Sequence, residues 1–159
     1  MGWTAEQPPG GAEHARRSSS FGQQAGGYAA YRPGYPDAAV RWALEPVVDP
    51  TADDLSGLRV LDLAAGTGKL TEALVRLGAD VVAVEPDVEM VAELRRRVPV
   101  VQVFSGRAED IPATDASFDA VLVGQAFHWF DTERAVLEIA RVVRAGGVLA
   151  LLWNFDDAR

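Results

Sequence analysis

Val60-Leu61-Asp62-Leu63-Ala64-Ala65-Gly66-Thr67-Gly68-Lys69-Leu70 decides the reading of this chain, and Val81-Val82-Ala83-Val84-Glu85 completes it. An apolar run ends in an acid, passes through a Gly-x-Gly turn and enters a segment with helical periodicity. About twenty residues beyond that turn, a second apolar run ends in another acid, the spacing that one strand–helix–strand crossover gives. Apolar strands alternating with amphipathic helices form a parallel sheet covered on both faces, linked by right-handed crossovers. Such sheets bind ligands at the carboxyl ends of their strands. Both acids and the Gly-rich turn fall on that edge.

Working outward, strands are expected over 59–62, 80–84, 100–104, 118–123 and 148–153. Helices are expected between them. Leu70, Leu74 and Leu77 make one stripe, with Gly78 at a left-handed C-cap. Asp87 caps a helix carrying Val91, Leu94 and Val98. Asp131 or Thr132 opens a helix with Val136, Ile139, Ala140 and Val143 on its buried stripe. Gly146-Gly147 turns the chain into the last strand. Upstream, Asp37 is an N-cap for a helix over 38–48, ended by Asp49 and Pro50. The fold class is therefore α/β, a mainly parallel sheet of about five strands with helices on both faces. Residues 1–20 read as a disordered leader, 21–57 as an N-terminal lid segment and helix, and 58–159 as the ligand-binding core.

Composition bounds the function. The 159 residues suit one domain. No apolar run is long enough to span a bilayer, and the N-terminus has no apolar core of a signal peptide. No membrane partner is expected, and a cytoplasmic location fits best. Cysteine is absent, so there is no thiolate nucleophile and no Cys-ligated metal. The two histidines, His14 and His128, make no metal site. A net charge of −8 opposes nucleic acid. The one basic run, Arg95-Arg96-Arg97, suits a helix C-terminus as a solvated face.

Three ligand classes compete for the Gly turn. A dinucleotide fingerprint, G-x-G-x-x-G, needs glycine where Thr71 stands. A phosphate-binding loop, G-x-x-x-x-G-K-[ST], needs glycine at Leu63 and a hydroxyl at Leu70. The third class is an amino-acid nucleoside such as S-adenosylmethionine, which has an ammonium, a carboxylate, a ribose diol and a sulfonium, but no phosphate. Two acids flanking the turn suit a cation better than a pyrophosphate. Asp62 would face the ammonium, the Gly turn the carboxylate, and Glu85 the ribose.

The motif order resembles the class I S-adenosylmethionine-dependent methyltransferases, in particular their type 11 branch. Asp62 to Gly68 matches the family's first motif, and Val84-Glu85-Pro86-Asp87-Val88-Glu89-Met90 its acidic loop. Gly106-Arg107-Ala108-Glu109-Asp110-Ile111-Pro112 looks like its adenine-contacting segment. Residues 118–130 resemble its fourth strand and adjoining wall, 141–149 its turn into strand five, and 28–36 the N-terminal lid of one subgroup. The likeness covers about residues 21–154, and it implies a Rossmann-like, doubly wound sheet of about five strands in the order 3-2-1-4-5. It implies S-adenosylmethionine as cofactor, with Asp62, Gly66 and Gly68 on the methionyl part and Glu85 on the ribose. Ala108 and Glu109 would flank the adenine, Met90 would pack on it, and Gln125 would sit near the methionine end. Ala64 and Pro86, beside the two acids, complete the cofactor-binding set. Family members continue to a sixth and seventh strand, and this chain stops after the fifth.

The implied activity is in-line methyl transfer to a small molecule. The alternatives are a catalytically impaired cofactor-binding domain and a dinucleotide oxidoreductase. No catalytic residue is assigned, and His128 is the candidate base, set between Phe127 and Trp129. Tyr28, Tyr31, Arg32 and Tyr35 form an aromatic and basic cluster that either straps the domain or closes over the ligand. Together with His128 and Trp129 they are the substrate or lid residues. The apolar last strand, 148–153, is an edge open to self-association.

Overall fold

A computed structural model of the chain describes residues 34–154. Helix α1 spans Asp37–Leu44 and runs into a 3₁₀ turn at Glu45–Val47. Then follow β1 (Arg59–Leu63), α2 (Lys69–Arg76), β2 (Asp80–Glu85), α3 (Val88–Arg97), β3 (Gln102–Ser105) and β4 (Phe118–Gly124). A 3₁₀ turn at Phe127–Trp129, helix α4 (Thr132–Val142) and strand β5 (Val143–Leu152) complete the described chain. The sheet is parallel throughout, in the order β3-β2-β1-β4-β5. This is the expected Rossmann-like architecture.

Alternation along the strands sorts the core into two faces. Val60, Val81, Ala120 and Leu122 pack with Val40 and Leu44 of α1 and with Leu70, Ala73 and Leu74 of α2. Ala83 and Val103 pack under Val91 and Leu94 of α3. Leu61, Leu63, Val82, Val84, Val121 and Val123 point the other way, against Ala135, Ile139 and Val142 of α4. Asp62 is paired in register with Ala83. It belongs to the first face, so its side chain looks toward α2.

Several local expectations shift. Asp37 is the first residue of α1 rather than its cap, the cap position being Pro36, and its carboxylate takes a hydrogen bond from Arg76. The helix stops at Leu44 because Pro46 has no N–H to continue the ladder. Strand β3 starts two residues late because Val100 and Val101 belong to the turn after α3. The buried stripe of α4 is Ala135, Ile139 and Val142, while Val136 and Leu137 are exposed. Gly146-Gly147 lies inside β5 at a register irregularity between Phe118 and Ala120, not in a turn before it. Gly78, at φ +96°, follows the last turn of α2 as expected of a left-handed cap. The Arg95–Arg97 run is engaged within the chain, by Val103 O, Glu93 and Glu72 respectively.

Strand β5 is one edge of the sheet among the described residues, with Leu149 exposed on it and Trp153 exposed just beyond its end. No helix of the described residues is long and apolar enough to cross a membrane.

Candidate functional site

The carboxyl ends of β1, β2 and β4 converge on a cavity of about 260 Å³. Its floor is built by Asp62, Ala64 and Gly66 from the β1–α2 turn, and one side by Glu85 and Pro86 at the tip of β2. Met90 from α3 and Gly106 to Glu109 from the loop after β3 close the next side. Gln125, His128, Trp129 and Phe130 after β4, with Tyr35 before α1, supply the remainder.

The two acids are buried and differently satisfied. Asp62 is 1% exposed. Thr71 donates its hydroxyl to Asp62 Oδ2 at 2.6 Å, and Asp62 Oδ1 has no hydrogen-bond partner among the described residues. Burial pushes the Asp62 carboxyl up to about 7; the Thr71 hydrogen bond works against this and the nearby Glu85 charge adds to it. Glu85 is 5% exposed. Its Oε2 accepts the Gly66 N–H at 2.8 Å and its Oε1 the Asp87 N–H at 2.9 Å. Burial raises its pKa, and those two amides partly offset the rise. The Gly66 amide is therefore spent on Glu85.

Two of the three non-glycine residues at positive φ among the described residues lie here, the third being Ala116. Ala64 at φ +58° and Gln125 at φ +59° are non-glycine residues in the left-handed region, at the ends of β1 and β4. Such residues concentrate at ligand sites, where the surrounding structure holds them. Gln125 is held by its N–H to Leu152 O at 2.8 Å and its side-chain amide to Asn154 O at 3.3 Å. The 3₁₀ turn that follows splits its aromatics. Phe127 packs on the core and edge-on to Phe130 at 5.6 Å, while His128 and Trp129, with rings 4.8 Å apart, stand at the cavity rim.

A methyltransferase domain model matches residues 61–151, more than half of the chain. An uncharacterized methyltransferase of Mycobacterium tuberculosis is 51% identical over 142 residues, covering 89% of this chain and 55% of the relative. The chain belongs to the class I S-adenosylmethionine-dependent methyltransferases, type 11 branch. A demethylmenaquinone methyltransferase of Renibacterium salmoninarum is 38% identical over 96 residues, covering 60% of this chain and 40% of the relative. A solved structure from Anaeromyxobacter dehalogenans, assigned to type II methyltransferases, superposes with a TM-score of 0.64 at 33% identity, covering 77% of this chain and 49% of that one. The chain spans about half the length of the curated relatives it matches.

Measured against this methyltransferase fold, the sequence-level site set falls together with few exceptions. Asp62, Ala64, Gly66, Glu85, Pro86, Met90, Ala108, Glu109 and Gln125 line the one cavity, with Tyr35, His128 and Trp129. Gly68 does not. At φ +90° it is the left-handed cap of α2, and a Cβ there would come 2.9 Å from Leu94 Cγ. Its lack of a Cβ serves the approach of α2 to α3. The Glu109 carboxylate is turned to the chain itself: Oε1 accepts the Asp131 N–H at 2.8 Å, and Oε2 lies 3.6 Å from Arg107. Tyr28, Tyr31 and Arg32 lie outside the described residues.

Sequence reasoning missed Thr71. Its departure from the dinucleotide fingerprint was read only as an exclusion, yet this fully buried residue orients Asp62. A hydroxyl in the first turn of the helix after an acid-tipped strand is the signal that could have found it. Gly106, which the resemblance put in the adenine-contacting segment, and Gly124 and Phe130, which it put in the fourth strand and adjoining wall, also line the cavity. A Cβ at Gly124 would meet the Tyr35 hydroxyl, so this glycine seats the tyrosine at the cavity edge.

Proposed function

We propose that the cavity binds S-adenosylmethionine and that the chain's activity is methyl transfer to a small-molecule acceptor. Asp62 Oδ1 carries the reading: a buried carboxylate oxygen at the cavity with no partner among the described residues. Leaving such a group unpaired is costly, and a cationic ligand group relieves the cost. The donor set fits the cofactor. Asp62 would take the ammonium of its methionyl part. Each oxygen of Glu85 holds one backbone N–H and keeps acceptor capacity for ribose hydroxyls. Ala108 and Met90 offer apolar surface to a nucleobase. When bound, the cofactor supplies a methyl group activated by a sulfonium, for in-line displacement.

The chain's own residues bind, orient and exclude water. Orientation of this kind is worth about 7–11 kcal/mol in favourable cases. Trp129 and Phe130 form an apolar wall for the acceptor. His128, at the rim, is positioned to take a proton from a hydroxyl, amine or carbon acid, whereas a carboxylate or enolate acceptor needs no base. The relatives named demethylmenaquinone methyltransferases support the small-molecule class.

Titration calorimetry with S-adenosylmethionine, S-adenosylhomocysteine and NAD tests the reading. The first two bind and NAD does not; binding of NAD alone would contradict it. Asp62→Ala and Glu85→Ala should each weaken cofactor binding more than tenfold, about 1.4 kcal/mol. Unchanged affinity in folded variants counts against the site. A second reading is a cofactor-binding domain without turnover. A methyl-transfer screen on the purified chain separates the two, since binding without turnover selects the second.

A further inference from the structure

Helix α4 contributes no residue to the cavity, yet it holds one wall of it. The wall is the loop after β3, whose Gly106, Arg107, Ala108 and Glu109 line the cavity. At its far end this loop has few regular backbone bonds, and side chains of α4 supply the rest. Arg141 donates Nη2 to Ile111 O at 2.9 Å and Nη1 to Ala113 O at 2.7 Å. It also reaches Asp115 Oδ1 at 2.9 Å. Glu138 Oε2 accepts the Ile111 N–H at 2.8 Å. The two side chains are locked to each other, Nε to Oε1 at 2.8 Å and Nη2 to Oε2 at 2.7 Å, the fork geometry that a guanidinium offers a carboxylate. The guanidinium holds the Glu138 carboxyl down at about 2, so the pair is charged throughout the working pH range.

The grip reaches the cavity by contact. Ile111 and Ala113 flank Pro112, whose ring lies against Gly106: a Cβ at Gly106 would come 2.8 Å from Pro112 Cδ and 3.2 Å from Val84 Cγ1. Ala108 and Ile111 are both buried, so the loop is pinned at both ends and its turn cannot shift without moving the lining residues. At the other end of α4, Asp131 N–H holds Glu109 Oε1.

We propose that Arg141 and Glu138 are positioning residues that set the nucleobase selectivity of the cavity by fixing the 106–113 loop. This rests on the cofactor reading above, in which that loop flanks the adenine. The pair lines no part of the cavity and acts through Ile111 and Ala113, which flank Pro112 against Gly106.

Calorimetry on the whole chain with S-adenosylhomocysteine and S-inosylhomocysteine tests it. The wild type should prefer the adenine compound. Arg141→Lys keeps the charge but loses the fork. It should bind the adenine compound at least fivefold more weakly, and its preference over the hypoxanthine compound should fall. Glu138→Gln should act in the same direction, and keeps the test open if the lysine variant does not fold. Asp62→Asn, on the cavity floor, should weaken both compounds together and leave their ratio unchanged. Amide exchange at 106–113 should rise in Arg141→Lys while that at 62–68 stays as in the wild type. A ratio unchanged in both α4 variants, even with a lowered Tm, would show a merely structural pair and overturn the inference. A wild type that binds neither compound overturns the cofactor reading and the assignment with it.

Discussion

Asp62 cannot stay ionised cheaply where the fold puts it, with one oxygen bonded to Thr71 and the other facing the cavity without a partner. Its carboxyl titrates near 7 when folded, against 3.8 for an ordinary aspartate. Between those values the unfolded chain releases the proton and the folded chain keeps it. The unfolded state then binds fewer protons, so this group lowers stability as pH rises from about 4 to 7 and adds nothing further above. Asp62→Asn should flatten that slope in urea titrations run across the range; an unchanged slope would show that Asp62 is not its source. Ligand binding should show the same proton. A cation seated on Asp62 displaces it, so affinity should climb with pH up to about 7 and then level. Calorimetry at pH 6 in buffers of different ionisation enthalpy should register proton release, and a pH-independent affinity would contradict this. Thr71→Val removes the hydroxyl that donates to Asp62 Oδ2. It should cost about 1–3 kcal/mol of stability in a urea melt and weaken cofactor binding. None of this was readable from the Asp62 motif itself, because the Thr71 partner is nine residues away and counted only as a missing glycine.

At the scale of the elements, the central strands announced themselves because their buried runs end in or beside an acid or a glycine. Asp62, Glu85 and Gly124 mark three of those ends. Helix phase was less legible where apolar residues outnumber buried positions. Val136 and Leu137 compete with Ala135 and Val142 for the inward stripe of α4, and only the sheet beneath decides. The start of α1 was misplaced because Asp37 is a good cap in isolation, while in the fold it is paired with Arg76 of α2. Gly68 shows a motif residue whose purpose lies between elements. Gly68→Ala would strain a left-handed cap and press on Leu94, so it should destabilise the fold by about 1–3 kcal/mol in denaturant melts. Loss of cofactor affinity with no loss of stability would instead restore it to the ligand site.

Across the whole molecule, the parallel sheet followed from the alternation of elements and the handedness of crossovers, while its strand order followed from the family resemblance carried by the motifs. The cavity's contents followed almost as directly, since ligand edges of parallel sheets collect the strand tips. What stayed hidden were the long-range ties, such as Arg141 to Ile111 or Asn154 to Gly34, because no local pattern encodes a partner 30 or 120 residues away. The exposed Leu149 on the β5 edge gives an expectation of its own. Sedimentation should show association rising with concentration, and Leu149→Lys should reduce it; a concentration-independent parent would rule this out. The central claim, that two buried acids at adjoining strand ends hold an adenosyl amino acid, is tested most directly by a crystal structure with S-adenosylhomocysteine bound. The account expects the ligand amino group within hydrogen-bonding distance of Asp62 Oδ1 and the ribose hydroxyls on Glu85. A ligand seated elsewhere, with both carboxylates left without contact to it, would contradict it.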